Sequence, residues 1–538
     1  MDINDIKNPK FLNELTNIDL EKLANDIRLF LISKIYKTGG HLASNLGVIE
    51  LTIALHKVFD FSVDKLIFDV GHQCYTHKIL TGRVNGFDNL RNVEGISGFP
   101  SYEESEYDHF ETGHSSTSIS AMTGFLLANT NINCVSVIGD SAIQNGLALA
   151  SINYLGSLSN LKGIIIINDN NMAISKNFRN LNEVTSKLNI NEFSNSIGFD
   201  YIKVEDGHNF EQLITKLDYA KNNKKSIIVH VCTIKGKGLD NELEKIHSIH
   251  INKIEDSYTN LIAQCLEEQF SINEKLVLIS PAMIYSSGLN KLKERYPSRV
   301  LDIGITEENG VVIASALSKM NLVPIFACYS TFLQRAFDQI VHDIIRPNLK
   351  VIFLVSNCGI VEYDGSTHQG LLDLGMLYPF DNIIIAHPYT TSQTKEVINF
   401  AISENTRPFF LRYENIKIAN SDYKMTFNPP NWTYNKLLED VNFIAYGEVI
   451  SSLNTNKPII NACFIKPIDV ELLKKINNTK LIVYEYAYIK SSLYNELLYC
   501  ITVNNLNIKL EGRYLTTPFI KHGNRKDLIN KYHKLEVK

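Results

Sequence analysis

Gly139-Asp140-Ser141 and Asn168-Asp169-Asn170 are the groups in this chain most suited to chemistry, because each closes an apolar, β-branched run with carboxylate and carboxamide oxygens. In an open α/β sheet, ligands bind at the ends of the strands. A helix opening at Ser141-Ala142 would aim free backbone N–H groups and the positive end of its dipole at a phosphate. Asp140, the Asn170 side chain and a carbonyl near Met172 offer the hard oxygens that magnesium takes. The combination describes a diphosphate held through a metal ion. Either group alone reads more readily as a turn capping a buried strand; the pair at the ends of successive strands is what points to a ligand.

The elements that must position these residues follow from periodicity. Asn133 to Asp140 reads as a strand, Ala142 to Leu155 as a helix, and Lys162 to Asp169, with four consecutive isoleucines, as a strand buried on both faces. The same alternation of short β-branched runs and helical patterns recurs in two more blocks, which predicts parallel sheets with crossover helices. The second block, from about residue 270 to 425, has strands at Arg299 to Ile305, Leu322 to Cys328 and Lys350 to Ser356, with helices at Glu308 to Met320 and Thr331 to Ile345. After the turn-rich Asn428-Pro429-Pro430-Asn431, strands are expected at Val441 to Gly447, Ile459 to Ile465 and Lys480 to Tyr486. The expected architecture is α/β with three doubly wound domains, 1–268, 269–428 and 429–538.

Bulk properties narrow the function. A chain of 538 residues with 44% hydrophobic and 10% aromatic content can bury several cores. The net charge of -5 is spread without a basic patch or a basic amphipathic face, so neither nucleic acid nor a membrane is an expected partner. The 8 cysteines are scattered and form no C-x-x-C, which argues against a disulfide framework or a zinc site and fits a reducing cytoplasm. The first residues alternate charged and polar types without an apolar core, so no export signal is expected.

Gly-Asp-Gly followed one βα unit later by Asn-Asp-Asn resembles the thiamine-diphosphate motif of the transketolase superfamily. Longer segments narrow the resemblance to the 1-deoxy-D-xylulose-5-phosphate synthase family. They include His41-Leu42-Ala43-Ser44-Asn45-Leu46-Gly47, Asp69-Val70-Gly71-His72-Gln73, His77-Lys78-Ile79-Leu80-Thr81-Gly82-Arg83 and Gly113-His114-Ser115-Ser116-Thr117-Ser118. Further along are Tyr329-Ser330-Thr331-Phe332-Leu333-Gln334-Arg335-Ala336-Phe337-Asp338-Gln339, Asp364-Gly365-Ser366-Thr367-His368-Gln369-Gly370 and Phe464-Ile465-Lys466-Pro467. The resemblance covers the whole chain and is weakest after residue 480 and between Ser175 and Asp200, where this sequence is shorter.

The resemblance implies thiamine diphosphate and Mg2+ as cofactors, pyruvate and an aldehyde acceptor, in the family D-glyceraldehyde 3-phosphate, as substrates, and a homodimer. Glu307 matches the glutamate that bonds a ring nitrogen of the aminopyrimidine and exchanges a proton with it. Phe332 matches the ring stacked on the pyrimidine, with Tyr329 and Arg335 beside it. His41, His72, Asp364 and His368 are implied to surround the reacting carbons. His72, Gly113, His114, Ser115, Asp140, Ser141, Ala142 and Asn170 are implied to hold the cofactor, with Asp140, Asn170 and Met172 on the metal. A family histidine after Lys235-Gly236-Lys237-Gly238 matches His247 or His250, with His247 slightly preferred.

The departures concern mainly the acceptor. The family's two phosphate-gripping arginines are Asn357 and Asn415 here. Losing a charge-assisted hydrogen bond from each costs about 3–6 kcal/mol, on the order of 10²- to 10⁴-fold in affinity for a phosphorylated acceptor. Arg412 and Arg179 are the candidates to compensate. Ser141 replaces the second glycine of Gly-Asp-Gly, Leu239 a tyrosine, and Glu308-Asn309 a Gln-His pair. Two further readings therefore accompany the synthase: a carboligase with a different, unphosphorylated aldehyde, and a non-catalytic cofactor-binding paralogue, which the presence of Glu307, His41, His72 and His368 opposes.

Overall fold

The structure, a computed structural model, describes residues 2–170, 190–239, 257–418 and 428–533. The chain divides into two compact units, Met1–Lys253 and Ile254–Lys538. The expected boundary at 268 falls inside a helix, Tyr258–Ile272, whose Tyr258, Leu261, Ile262 and Cys265 are buried in a core of the second unit with Leu276 and Val397.

The first unit is built on a parallel sheet of β1 (Lys65–Phe68), β2 (Cys134–Gly139), β3 (Gly163–Asp169), β4 (Asp200–Val204) and β5 (Ile227–Cys232), in the order β1-β2-β3-β5-β4. The isoleucine run of β3 shows why a continuous apolar strand must lie inside. Ile164 and Ile166 pack with the helices Asn17–Thr38, Ile49–Val58 and Phe210–Asn222, while Ile165 and Ile167 pack with the helices Ser118–Ala128 and Gly146–Gly156. Successive residues of a strand point to opposite faces, so all four are removed from water by two helical layers. Because the strands are parallel, Phe68, Gly139, Asp169 and Cys232 end at one edge of the sheet.

No continuous helix runs from Ala142 to Leu155: Ala142–Gln144 form a single 3-10 turn, Asn145 is extended, and the helix starts at Gly146. The reason is local. Asn145 is buried and its side chain accepts a hydrogen bond from the Leu147 N–H, the behaviour of an N-cap, which competes with helix continuation. The backbone N–H groups after Asp140 therefore belong to a tight turn, and the α-helix dipole begins further on.

The second unit carries β6 (Leu276–Ser280), β7 (Val300–Asp302), β8 (Val323–Tyr329), β9 (Ile352–Ser356), β10 (Ile384–Ala386), β11 (Phe409–Arg412), β12 (Thr433–Tyr434), β13 (Val441–Ala445), β14 (Ile459–Asn461), β15 (Phe464–Lys466), β16 (Lys480–Tyr488) and β17 (Lys509–Leu515). They form two sheets, β15-β10-β11-β9-β8-β6-β7 and β12-β14-β13-β16-β17. Within these, β15 is antiparallel to β10 and β12 antiparallel to β14. The run Ile459 to Ile465, expected as one strand, is two strands in different sheets. The crossing residues keep their backbone bonds, since Ala462 N–H donates to the Ala445 carbonyl (2.8 Å) and the Cys463 carbonyl accepts from His387 N–H (2.7 Å). Uniform hydrophobicity conceals such a switch, because every residue of the run is buried on either side of it.

Thr331 to Ile345 is likewise not one α-helix. It comprises a turn of α-helix at Ser330–Leu333, a 3-10 turn at Gln334–Ala336, a short helix Phe337–Gln339 and a π-helical stretch Ile340–Ile345. Such irregular windings recur where side chains are aimed at functional sites. Among the described residues, no helix is long and apolar enough to cross a membrane, and all eight cysteines are free thiols.

Candidate functional site

In the first unit, the sheet edge gathers the first set of candidate residues. Asp69 follows β1, and its carboxylate accepts from Ser116 N–H (2.7 Å) and Ser118 N–H (3.1 Å), which fixes the loop that carries Gly113, His114 and Ser115. Ser116 adopts a positive φ of 75°, and its hydroxyl donates to the Ala142 carbonyl at 2.8 Å, tying that loop to the turn after Asp140. Gly71 is required by a close approach: a Cβ there would lie 2.2 Å from Thr112 Oγ1. The rings of His41 and His72 are 5.3 Å apart, edge to face. Asn45, fully buried, joins their backbones. Its amide nitrogen donates to the carbonyls of His41 (2.9 Å) and His72 (2.8 Å), and its oxygen accepts from Tyr75 N–H (2.8 Å).

Asp140 sits at the end of β2, where its carboxylate accepts from Ser141 N–H at 2.8 Å. Its pKa is raised to about 6, chiefly by burial and then by the charge of Asp169. Asp169 is oriented by His230 (Oδ2 to Nε2, 2.8 Å), which in turn meets the Tyr201 hydroxyl at 3.1 Å. A cation beside Asp140 would relieve this crowding of carboxylates. Lys235 is such a cation, and the sequence reading did not place it in the site: it is half-buried, its pKa is lowered by burial, and the charge of Asp140 opposes the shift.

The Lys235 loop is built in from several sides. Gly236 N–H donates to the Ala43 carbonyl (2.8 Å), Arg28 Nε to the Lys237 carbonyl (3.1 Å), and Ile234 N–H to His208 Nε2 (2.9 Å). Arg28 and His208 are both held by the buried Glu50, at 2.6 and 2.9 Å. The signal for Lys235 was present in Lys235-Gly236-Lys237-Gly238, but only folding brings it near Asp140.

These residues fit a metal-bound diphosphate. Gly139 has no atom within 4 Å of where a Cβ would stand, so there is space beside the strand end. Asp140 and Asn170 would offer it oxygens, and the Gly113–Ser115 loop and Lys235 would offer polar and cationic groups. Among the described residues no cluster of three His, Cys, Asp or Glu side chains is poised for a metal, so an ion here would depend on carboxamide, carbonyl, phosphate and water oxygens. Met172, His247 and His250 lie outside the described residues.

In the second unit, Glu307 opens the helix Glu307–Lys319 and is 3% exposed. The turn before it is fixed by Asp302, whose Oδ1 accepts from the N–H groups of Ala282 and Gly304, both at 3.1 Å. Burial raises the Glu307 pKa, and Arg335, with Nη1 3.5 Å from Glu307 Oε2, opposes that shift. Tyr329 ends β8 and stacks on Phe332 (5.8 Å, interplanar angle 9°), and Phe332 meets His368 edge to face at 5.5 Å. The Tyr329 phenol is pushed up to about 12, mainly by burial; a Ser286 hydrogen bond lowers it and the Asp364 charge raises it. Thr331 Oγ1 donates to the Thr367 carbonyl (2.9 Å), and Thr367 Oγ1 meets His368 Nδ1 (2.8 Å). Glu307, Tyr329, Phe332, Arg335, Asp364 and His368 are thus brought together by the irregular helical segment and the loop after β9.

The acceptor-phosphate positions differ from the compensation expected. Asn357 has a φ of 53°, a conformation asparagine tolerates better than most residues. Asn415 is exposed, and its oxygen accepts from the Thr259 hydroxyl at 3.1 Å. Arg412 is 3% exposed and bonded to Asp373 through Nε (2.6 Å) and Nη2 (3.1 Å), with Nη1 3.2 Å from His387 Nδ1. It is therefore committed to the core and does not replace the missing arginines. Arg179 lies outside the described residues.

Comparison with known proteins gives this geometry a class. Residues 255–419 match the family model described as transketolase, pyrimidine binding domain, and residues 3–197 and 188–233 match that of 1-deoxy-D-xylulose-5-phosphate synthase. The protein is of transketolase type, a class that implies dependence on thiamine diphosphate. The 1-deoxy-D-xylulose-5-phosphate synthase of Clostridium tetani is 36% identical over 607 aligned positions, covering 98% of this chain and 97% of that protein. That of Clostridium acetobutylicum is 36% identical, covering 100% and 97%. The chain belongs to the 1-deoxy-D-xylulose-5-phosphate synthase family. Among solved structures, transketolase from Campylobacter jejuni is 16% identical, covering 95% of this chain and 97% of that one with a TM-score of 0.45.

Proposed function

We propose that this chain is a transferase that decarboxylates pyruvate and joins the remaining two-carbon unit to D-glyceraldehyde 3-phosphate, forming 1-deoxy-D-xylulose 5-phosphate for isoprenoid and thiamine precursors. The observation that carries the reading is Glu307: a carboxyl buried at a helix start, its pKa raised, beside stacked aromatic rings, in a chain matched over nearly its full length by synthases.

Thiamine diphosphate, when bound, supplies the nucleophilic carbon and the electron sink for decarboxylation. The chain's own residues hold and orient. Asp140 and Asn170, with the resemblance adding a carbonyl near Met172, would hold Mg2+; Ser141, Ala142, His72 and the Gly113-His114-Ser115 loop would bind the diphosphate, and Lys235 would balance its charge. Glu307, on which burial holds a proton more tightly than on a solvated glutamate, would be the group to share that proton with a pyrimidine ring nitrogen of the bound cofactor. Phe332 stacks on the ring, and Arg335 and Tyr329 set the position of Glu307 and Phe332. His41, His72, His368 and Asp364, with the family histidine that matches His247 or His250, would donate hydrogen bonds and move protons at the substrate carboxylate and the new alkoxide. The reading keeps a diphosphate- and magnesium-binding domain over 1–268, a pyrimidine-binding domain over 269–428 and a C-terminal domain over 429–538. The working form is a cytoplasmic homodimer.

A second reading is favoured by one observation: Asn357 and Asn415 are uncharged, and Arg412 is locked on Asp373. It keeps the donor chemistry and uses an unphosphorylated aldehyde. Pyruvate turnover with thiamine diphosphate and Mg2+, comparing D-glyceraldehyde 3-phosphate with D-glyceraldehyde and including Glu307→Ala, decides between them. A strong preference for the phosphorylated acceptor supports the synthase; indifference to the phosphate supports the second reading; no turnover with either overturns both.

A further inference from the structure

The loop after β9 carries Asn357 at its start and Asp364 and His368 further on, and a C-terminal segment, Ile520 to Arg525, grips it. Arg525 opens the helix Arg525–Tyr532. Its backbone N–H donates to Glu362 Oε1 (2.8 Å), its Nη1 to the Ile360 carbonyl (2.7 Å) and its Nη2 to Glu414 Oε1 (2.7 Å). Two residues earlier in the chain, the Gly523 carbonyl accepts from Tyr363 N–H at 2.9 Å. One guanidinium therefore bridges the two stretches in which the acceptor-phosphate arginines are missing: Ile360 is the third residue after Asn357, and Glu414 directly precedes Asn415.

The clamp is buried. Arg525 has 12% of its side chain exposed and Glu414 4%, and the guanidinium lies 5.4 Å from the Tyr486 ring centroid. Burial raises the Glu414 pKa, and Arg525 is the main charge opposing that rise. Removing the guanidinium leaves a carboxylate and a carbonyl buried without this donor, so the two stretches lose their charged bridge and are left with the backbone bond from Cys358 N–H to the Tyr413 carbonyl (3.2 Å). The other end of the loop has ties of its own, the Thr367 bonds to Thr331 and His368, beside the bonds of Gln369 Nε2 to the Val361 (3.1 Å) and Ile520 (3.3 Å) carbonyls. Arg525 bonds the Asn357 arm directly, at Ile360, and that arm is paired with the His368 arm through the backbones of Gly359 and Gly370 (2.8 and 3.0 Å).

We propose that Arg525 is a positioning residue for acceptor specificity: by bridging Ile360 and Glu414 it fixes Asn357 and Asn415 as one acceptor-binding surface, acting through these residues without touching the cofactor. This rests on the functional reading above, in that Asn357 and Asn415 are taken to face the acceptor. A lysine at 525 reaches one of the two partners but lacks the fork that bridges both, so it recovers only part of the effect.

The test measures KM for D-glyceraldehyde 3-phosphate and for D-glyceraldehyde at saturating pyruvate, and KM for pyruvate at saturating aldehyde, in wild type, Arg525→Ala, Arg525→Lys and Glu414→Gln. The expected result is a rise of about 10-fold or more in aldehyde KM for Arg525→Ala, the scale of one lost charge-assisted bond. Pyruvate KM should stay within about threefold, a change too small to signal loss of such a bond, and Arg525→Lys should fall between wild type and the alanine variant. If Arg525→Ala does not fold, Arg525→Lys and Glu414→Gln decide on the same split. Unchanged aldehyde KM, or aldehyde and pyruvate KM moving together, overturns the proposal while leaving the enzyme reading intact; a wild type that turns over no pyruvate overturns the enzyme reading and the proposal with it.

Discussion

Arg412, the last residue of β11, and Asp373 form a buried, two-pronged pair, Nε to Oδ2 at 2.6 Å and Nη2 to Oδ1 at 3.1 Å. An arginine near the acceptor positions is thus a core element. Arg412→Ala should cost about 3–5 kcal/mol of stability, because it leaves Asp373 as an uncompensated buried charge. Chemical denaturation measures this. A selective rise in acceptor KM at unchanged stability would show that Arg412 reaches substrate after all.

Restoring charge at the two asparagines should separate the acceptor readings. Asn415 is exposed, so Asn415→Arg meets little steric cost and should improve affinity for D-glyceraldehyde 3-phosphate by about 10- to 100-fold, the value of one charge-assisted bond. Asn357→Arg should gain less, because φ at 357 is 53° and a longer L-side chain in that region costs roughly 1–2 kcal/mol. The check is the ratio of kcat/KM for phosphorylated and unphosphorylated aldehyde in each variant.

A pH dependence of stability follows from the first unit's buried histidines. His56 Nε2 lies 2.9 Å from His77 Nδ1, and His77 Nε2 lies 2.9 Å from Asp108 Oδ1, which also receives Arg83. The His56 pKa is held well below its ordinary 6.5, first by burial and then by the charges of His77, His109 and Arg83. Below pH 6.5 the unfolded chain takes up a proton at His56 that the folded chain refuses, so stability falls as pH falls, by about 1.4 kcal/mol per pH unit for each such group. Asp108 has a strongly lowered pKa, despite burial, because His77 and Arg83 bond it; its contribution is present above 3.8 and is lost only as pH falls below that. Melting midpoints between pH 8 and 5 should decline in wild type and decline less steeply in His56→Asn.

Asn45→Ala should disturb both candidate histidines at once. It removes the bonds to the His41 and His72 carbonyls and to Tyr75 N–H, and each buried group left without a partner costs about 1–3 kcal/mol. Lower denaturation midpoints together with a lower kcat are expected; full activity at full stability would mean that the positions of His41 and His72 do not depend on Asn45.

Legibility in the sequence varied with the range of the interaction. The isoleucines of β3 announced a strand with two covered faces, because burial of a period-2 element needs only local pattern. Glu307, Phe332 and Arg335 could be singled out from short segments. What was not legible depends on partners distant in sequence or on local competition. Asn145 turned an apparent helix start into a 3-10 turn by capping the helix that follows. The Ile459 to Ile465 run switched sheets with no change in hydrophobicity. Lys235 stood in a noticed motif, yet its relation to Asp140 arises only from the parallel strand ends. Arg412 was read as a spare cation because nothing local identified Asp373 as its partner.

The central claim is tested most directly by the rate at which the purified protein, with thiamine diphosphate and Mg2+, forms 1-deoxy-D-xylulose 5-phosphate from pyruvate and D-glyceraldehyde 3-phosphate, compared between wild type and Glu307→Gln. The account predicts product from wild type and a fall of about 10²- to 10⁴-fold in kcat for the variant, the range for losing a positioned proton-transfer group. No product from wild type, or an undiminished rate in Glu307→Gln, would contradict it.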